Sequence, residues 1–219
     1  MRRCQNPEFN ATSFWQARRQ TVIVRSLLST LHQMSGDLHR CMYCMNSEAD
    51  DIEHFWPKSK HHNRMFLWDN LLLCCTICGR KKGDQFPLEV GEPLLIDPSA
   101  EDPWRYLEFD PQTGNIIPRL HPNSGEELRK GSETVRVFEL DRREALAKGF
   151  KKTFRRLSSC VNSILNDGFS AESIVKLRSE DDHGLLQWCF CGSGQFEQPF
   201  SEMRDNMPGA WAACRDALC

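Results

Sequence analysis

The sequence lacks any long apolar run. None of its 219 residues belongs to a stretch approaching the ~18 consecutive apolar residues of a membrane-spanning helix. No apolar segment of the signal-peptide kind follows Met1-Arg2-Arg3. Both absences favour a cytoplasmic protein that contacts no membrane.

A strong net charge, internal repeats and low-complexity tracts are also absent. The formal net charge is −2, so overall charge does not indicate a nucleic-acid-binding protein, although a local basic patch is what binds phosphate. There is no phosphate-binding loop, so an ATPase activity would have to come from a partner. The length suits one large domain or two small ones with a real core.

Cysteine, by contrast, is abundant, with eleven residues. Cys41/Cys44 and Cys75/Cys78 form two Cys-x-x-Cys pairs, a spacing at which one tight turn aims both sulfurs at one ion. We therefore predict a structural zinc ion on these four thiolates; a redox pair or two unrelated pairs are the alternatives. In a reducing compartment the remaining thiols are predicted to be free. They are Cys4, Cys74, Cys160, Cys189, Cys191, Cys214 and Cys219.

An acidic residue and a histidine, Glu53 and His54, lie between the two pairs, and Asn70 precedes the second pair. Residues 51–54 alternate polar and apolar, as a half-buried strand does, and Pro57 ends the pattern. A carboxylate that holds a hard cation beside a neutral histidine is suited to metal-assisted hydrolysis of phosphodiesters. The alternative for the histidine is a purely structural residue.

Three motifs surround these residues: E-H-F-W-P-K-S from Glu53, W-D-N-L-L-L-C from Trp68, and K-G-D from Lys82. Together with the cysteine pairs, they resemble an HNH endonuclease of the zinc-bearing kind. The resemblance implies an α+β protein with a zinc-stabilised, treble-clef-like ββα-metal core, a small antiparallel sheet and flanking helices. It also implies that Glu53 binds a catalytic Mg²⁺ or Mn²⁺ ion, that His54 is the general base, and that Asn70 braces the loop holding His54.

One position departs from the family pattern. The third letter of the motif, usually His or Asn, falls at Gly79, which offers no side-chain ligand. An Mg²⁺ site keeps several waters and needs few protein ligands, so Glu53 with water and one further group could suffice. The candidates for that group are Asp51, His61, His62 and Asp84.

A wider resemblance covers most of the chain. P-L-L-I-D-P from Pro93, L-D-R from Leu140 and P-F-S-E-M-R from Pro199 are similar to the HNH proteins of retron and Septu antiphage systems. This similarity implies a partner, an ABC/SMC-like ATPase, and with it a role in defence. A retron reverse transcriptase with its DNA is a further possible partner. The substrate could be DNA or an RNA such as tRNA. The alternative function is a catalytically weak zinc module that serves as a regulatory subunit of the ATPase.

Basic residues cluster around the motif and predict contacts to a nucleic-acid backbone. A plain solvated surface is the alternative. The predicted nucleic-acid-binding residues are Lys58, Lys60, Arg80, Lys81 and Lys82.

Four segments are predicted from these patterns. Residues 1–37 form an N-terminal helical brace, 38–90 the zinc-bearing HNH core, 91–140 a small β extension, and 141–219 a C-terminal helical region that contacts a partner or nucleic acid.

Within those segments, Thr12 or Ser13 caps a first helix that ends at Gly36, and its apolar stripe includes Val22, Ile23 and Met34. Residues 110–115 form a hairpin turn. Asp141 caps a long helix that runs to about residue 166 and carries a basic face. Residues 208–218 form a last helix, whose Trp211 anchors a partner or packs in the core.

Overall fold

The computed structural model describes residues 9–46 and 48–219 and has a mixed α and β architecture. The chain divides into two compact units. The first extends to Glu101 and includes Arg136–Phe138, whereas the second comprises Asp102–Val135 and Glu139–Cys219. The four segments predicted from the sequence stay predictions. Cys4, predicted as a free thiol, lies outside the described residues.

All strands are short and pair as antiparallel hairpins. In the described residues, six strands form three two-stranded sheets, β1 with β2, β3 with β4, and β5 with β6. Their bounds are β1 Asp51–His54, β2 Leu71–Cys74, β3 Leu88–Glu89, β4 Glu92–Pro93, β5 Leu107–Phe109 and β6 Ile116–Pro118. The small antiparallel sheet predicted from the sequence is therefore present as separate hairpins.

Helices supply most of the regular structure, and none that the structure describes is long and apolar enough to cross a membrane. The helices are α1 Ala11–Gln16, α2 Val22–Met34, α3 Thr76–Lys82, α4 Arg129–Phe138, α5 Glu144–Asp167, α6 Ala171–Glu180, α7 Leu186–Cys191, α8 Phe200–Asn206 and α9 Pro208–Leu218.

The prediction of a single N-terminal helix is wrong, because two helices occupy this region. Asn10 caps α1 by accepting a hydrogen bond from the Ser13 amide at 2.8 Å, and Thr21 caps α2. The predicted stripe also differs, since Val22 and Ile23 are 84% and 74% exposed. The side chains that α2 buries are Val24 and Leu31.

In the first unit, β1, β2 and α3 follow one another around the cysteines. β1 pairs with β2 so that Glu53 lies opposite Leu72 and His54 opposite Leu71. Every residue of β2 is buried, which explains its continuous apolar sequence. Cys75 caps α3, its sulfur accepting a hydrogen bond from the Cys78 amide, so the second cysteine pair begins the helix.

In the second unit, the long helix α5 buries an apolar stripe that includes Leu146, Phe150 and Leu157. It begins at Glu144, so the cap predicted at Asp141 is wrong, and residue 143 takes the N-cap position. An aromatic cluster packs against it: the Phe109 ring lies 5.1 Å from that of Trp188. Apolar burial of this kind is the main source of stability for helices.

The C-terminal residues form the predicted helix, α9. Trp211 is only 6% exposed, and its ring packs 4.9 Å from that of Phe190. Trp211 is therefore a core residue of the second unit and not an exposed anchor.

Two cysteines predicted to be free form a disulfide. Cys191 ends α7 and Cys219 follows α9, and their Cα atoms lie 6.5 Å apart, within the range that a disulfide spans. The prediction for these two thiols is wrong, because it rested on a reducing compartment and took no account of the fold, which brings the two residues together. Cys74, Cys160, Cys189 and Cys214 are free, as predicted, and all four are buried.

Candidate functional site

The four cysteines of the two Cys-x-x-Cys pairs converge on one point. Their sulfur atoms all lie within 4.8 Å of one another, and all four residues are buried. The Cys44 and Cys75 sulfurs are 3.9 Å apart, close to the roughly 3.8 Å edge of a tetrahedron with zinc–sulfur bonds of about 2.3 Å. Among the described residues this is the only such group of three or more His, Cys, Asp or Glu ligands. The group can hold a zinc ion.

Electrostatics within this cluster favour a cation. Hydrogen bonds to the neighbouring thiols, with burial added, raise the pKa of Cys44 and Cys78 above the usual thiol value. Buried thiolates so close together repel one another, and a bound cation would relieve that repulsion. Cys74 lies outside the group; its thiol donates a hydrogen bond to the Cys75 carbonyl at 3.3 Å, and it is the buried thiol that the sequence predicts.

His54, the last residue of β1, is completely buried. Its Nε2 lies 3.0 Å from the Met65 carbonyl oxygen. Because a carbonyl only accepts, Nε2 carries the proton, and in the neutral ring Nδ1 holds the lone pair. This Nδ1 atom is buried and has no hydrogen-bond partner among the described residues. Burial, with the nearby Lys58 charge, lowers the pKa of His54 to about 3, so the ring is neutral near pH 7.

Asn70 joins the end of β1 to the loop before β2. Its Oδ1 accepts a hydrogen bond from the Trp56 amide at 2.7 Å. Its Nδ2 donates to the carbonyls of Trp56, at 3.2 Å, and Arg64, at 3.0 Å. Because Arg64 precedes Met65, these bonds fix the loop whose carbonyl holds His54. Asn70 is 1% exposed, so the bonds are shielded from water.

Glu53 presents its two carboxylate oxygens to different surroundings. Oε1 accepts hydrogen bonds from the His54 amide at 3.0 Å and from the Lys82 ammonium at 3.1 Å. Oε2 lies on the side of Gly79: a Cβ atom on that glycine would be 3.5 Å from it, an ordinary van der Waals distance. The position that departs from the family pattern is thus next to the predicted metal-binding carboxylate.

Of the four other candidate ligands, Asp84 is exposed, and the other three have contacts of their own. Asp51 forms an ion pair with Arg19. His62 Nε2 lies 2.8 Å from the Ser59 carbonyl, and the His61 ring packs 4.9 Å from that of Trp56. In the described part of the chain, no group of three or more ligand atoms includes Glu53. A divalent ion here would have one protein oxygen, Glu53 Oε2, with water and substrate phosphate as further ligands, which Mg²⁺ sites accept.

Lys82 differs from the other residues predicted to contact nucleic acid, because its side chain is completely buried. Besides Glu53, its ammonium donates to the His54 carbonyl oxygen at 2.7 Å. Burial lowers the pKa of Lys82, while the Glu53 charge raises it. The sequence contains a signal for this burial: position 82 follows Cys78 by four residues and so shares its face of α3.

The remaining basic residues are accessible to solvent to different degrees. Lys60 and Arg80 are exposed, and Lys58 and Lys81 are half-buried. Sequence reasoning missed two aromatic neighbours, Phe66 and Trp68, which are 51% and 44% exposed. The signal was a short apolar run at residues 65–68 between two polar stretches.

No protein-family model matches the chain. It does match the Septu protein PtuB of Bacillus mycoides (strain KBAB4), with 29% identity across 67% of this chain and 57% of that protein. It also matches the Septu protein PtuB of Bacillus thuringiensis, with 26% identity across 72% of this chain and 59% of that protein. The chain is PtuB-like. The resemblance to the Septu type predicted from the sequence is therefore confirmed.

The similarity has a limited extent. The chain spans less than three fifths of the length of the two PtuB proteins that it matches. Activity, substrate and partners of this PtuB-like chain are accordingly argued below from its own residues.

Proposed function

We propose that this PtuB-like chain is a metal-dependent HNH nuclease that acts in antiphage defence. It would hydrolyse phosphodiester bonds of DNA, or of an RNA such as tRNA. The similarity to two Septu PtuB proteins supports the defence role. The order β1–β2–α3 around one cysteine cluster supports the ββα-metal core.

The main support for the proposal is the hydrogen bonding and the neutral charge of the His54 ring. Its tautomer is fixed by the Met65 carbonyl, its ring is neutral, and Nδ1 keeps an unshared lone pair. Such a nitrogen is ready to take a proton from a water molecule that attacks phosphorus. Asn70 would keep this geometry by holding the loop at Trp56 and Arg64.

Glu53 would provide the site for a divalent ion, and the structural zinc would lie on Cys41, Cys44, Cys75 and Cys78. A bound Mg²⁺ or Mn²⁺ ion supplies Lewis-acid stabilisation of the leaving 3′ oxygen. Oε2 of Glu53 is the oxygen that fits, because Oε1 already accepts two hydrogen bonds. The single protein ligand makes us expect weak metal binding without substrate.

Substrate contacts would come from the basic residues outside the core. Lys58, Lys60, Arg80 and Lys81 would bind backbone phosphates, which position nucleic acid without reading its sequence. Phe66 and Trp68 could stack on unpaired bases. Lys82 is not part of this surface, since its ammonium is buried.

Partners follow from the family resemblance. An ABC/SMC-like ATPase would supply the nucleotide hydrolysis for which the chain has no phosphate loop, and a retron reverse transcriptase with its DNA is a further possible component. We place the protein in the cytoplasm with them.

One observation favours the second candidate, a regulatory subunit of the ATPase. His54 is 0% exposed, and the edge of the Trp15 ring packs against it at 4.5 Å between centroids. A base so enclosed receives no water unless the covering residues move, and Gly79 adds no ligand to the metal site.

The deciding experiment is a cleavage assay with the purified chain on supercoiled plasmid and on total tRNA. Reactions with and without added Mg²⁺ or Mn²⁺ replace the use of a chelator, which would also remove zinc. We expect His54→Ala to lower metal-dependent cleavage by about 10²–10⁴-fold, the usual contribution of a general base. His121→Ala, at an exposed histidine of the second unit, is the matched control and should cleave normally.

Two outcomes would contradict the nuclease. Cleavage that is equal in His54→Ala and the unaltered chain would come from a contaminant or from another site. Absence of cleavage, both alone and with the co-purified ATPase, would favour the regulatory subunit.

A further inference from the structure

Lys82 joins the two candidate catalytic residues through one buried ammonium group. It is the last residue of α3 and is 0% exposed. Its Nζ lies 3.1 Å from Glu53 Oε1 and 2.7 Å from the His54 carbonyl oxygen. The helix that begins at the cysteine cluster therefore ends on the candidate active site.

Stability alone does not explain a lysine at this position. Removing an ammonium from water is costly, and buried ion pairs are often replaced by apolar residues without loss of stability. Lysine is almost never fully buried unless it is paired. The Lys82 pair therefore suggests a role in the site that an apolar residue could not fill.

The hydrogen bonds of Lys82 determine what Glu53 can offer a cation. Oε1 accepts from both Lys82 and the His54 amide, and Oε2 is left on the side of Gly79. The carboxylate is thus restricted to one free oxygen. Its negative charge is also balanced by the ammonium, so the carboxylate offers a divalent ion no uncompensated negative charge before a phosphate arrives.

We propose that Lys82 is a positioning residue that holds Glu53 as a one-oxygen ligand and makes tight binding of the divalent ion depend on the substrate phosphate. The proposal rests on the nuclease function proposed above. Affinity for hard cations rises with the number of charged ligands. Because Lys82 neutralises Glu53, the first uncompensated negative charge near the ion comes from the nucleic acid. Metal and substrate should therefore bind cooperatively, each raising the affinity of the protein for the other.

The test measures Mn²⁺ binding by electron paramagnetic resonance, in a His54→Ala background in which nucleic acid is not cleaved. Titrations are run with and without a single-stranded oligonucleotide. With Lys82 present, we expect the oligonucleotide to tighten Mn²⁺ binding at least tenfold. With Lys82→Met, Mn²⁺ should bind about tenfold more tightly on its own, and most of the oligonucleotide effect should disappear.

Three further variants separate positioning from folding. Lys82→Arg keeps the charge and should keep the cooperativity. Lys176→Met removes an exposed lysine of α6 in the second unit and should change nothing. Glu53→Gln should abolish Mn²⁺ binding and so assign the bound ion to this site. Zinc content and thermal unfolding of each variant report whether the first unit is folded.

The outcomes distinguish the two proposals. Folded Lys82→Met with unchanged Mn²⁺ affinity and unchanged oligonucleotide effect would overturn the role of Lys82, whatever the nuclease activity. If Lys82→Met does not fold, the protein that keeps Lys82 provides the test. Equal Mn²⁺ affinity with and without oligonucleotide in that protein would overturn the role of Lys82. A chain that neither cleaves nucleic acid nor binds Mn²⁺ through Glu53 would overturn the nuclease function itself.

Discussion

The two units of the molecule bury polar histidines in opposite ways. In the second unit, His183 is 5% exposed and its Nδ1 lies 2.8 Å from the Thr153 hydroxyl, so that nitrogen is satisfied inside the core. In the first unit, His54 is 0% exposed, and its Nδ1 has no partner among the described residues. A buried polar atom without a partner is unfavourable unless function needs it. The difference supports the proposal that the chemistry takes place in the first unit.

Different interactions stabilise the interior of each unit. The second contains the 24-residue helix α5 and an aromatic core around Phe109 and Trp188. The first contains the 13-residue helix α2, but the elements around its four buried thiols are strands of four residues and the seven-residue helix α3. Elements this short bury little apolar surface, and a metal ion commonly replaces the missing core in such modules.

Of the changes considered, zinc removal should have the largest effect, and it should affect the first unit alone. A structural zinc ion contributes on the order of 10 kcal/mol of folding free energy. We expect a chelator, or Cys78→Ser, to unfold the region around β1, β2 and α3 and to leave the helices of the second unit folded. Hydrogen exchange measured by mass spectrometry, peptide by peptide, will show which unit loses protection.

Cys160→Ser is the matched control, because this buried thiol belongs to the second unit and lies outside the four-thiol group. The chelator should cause the same loss of protection in this variant as in the unaltered chain. Equal loss of protection in both units would contradict a zinc dependence confined to the first.

A core truncation in the second unit should have the next largest effect. Phe109 is 1% exposed and contacts the rings of Phe150, Phe154 and Trp188. Phe109→Ala should lower the free energy of unfolding by about 3–5 kcal/mol. Phe196→Ala, at a ring that is 69% exposed, should change it by less than about 0.5 kcal/mol. Chemical denaturation with retained zinc content is the measurement, and similar losses in both variants would refute this core.

Adding the missing ligand at position 79 should change metal binding more modestly. A Cβ atom there fits without a clash, 3.5 Å from Glu53 Oε2. We expect Gly79→Asn to tighten Mn²⁺ binding by roughly tenfold, about 1.4 kcal/mol, since one more oxygen joins the site. Calorimetric titration of the zinc-loaded protein measures it, with Gly209→Asn as a control at an open position of α9. Unchanged affinity would mean that position 79 does not face the ion.

Local patterns in the sequence predicted the cysteine cluster better than the fold around it. The cysteine pairs required only two-residue spacings, and the four sulfurs do converge. The hairpin turn at residues 110–115 was equally local: Asp110 accepts hydrogen bonds from Gln112 and Thr113 and closes it. Such features depend on neighbours in sequence, which a single chain reveals.

Features that depend on distant contacts were missed. Composition made Arg80, Lys81 and Lys82 look alike, yet packing buried only the last of them completely. The Cys191–Cys219 disulfide joins residues 28 positions apart. The ring of Trp15 packs on His54 across nearly forty positions, and no periodicity signals that contact. These outcomes are decided by tertiary packing and not by local propensity.

The chemistry of the remaining cysteines gives the finest test of the comparison. Burial raises the pKa of Cys214 in the second unit to about 11, so its thiol is protonated at neutral pH. Alkylation by iodoacetamide should therefore be slow at pH 8 and should quicken about tenfold per pH unit towards pH 10, as the thiolate fraction grows. The four cysteines of the first unit should react only after zinc is removed, at any of these pH values. Peptide mapping of alkylated protein would detect both behaviours. A Cys214 that reacts at pH 8 as fast as a free thiol would show that the second unit does not bury it.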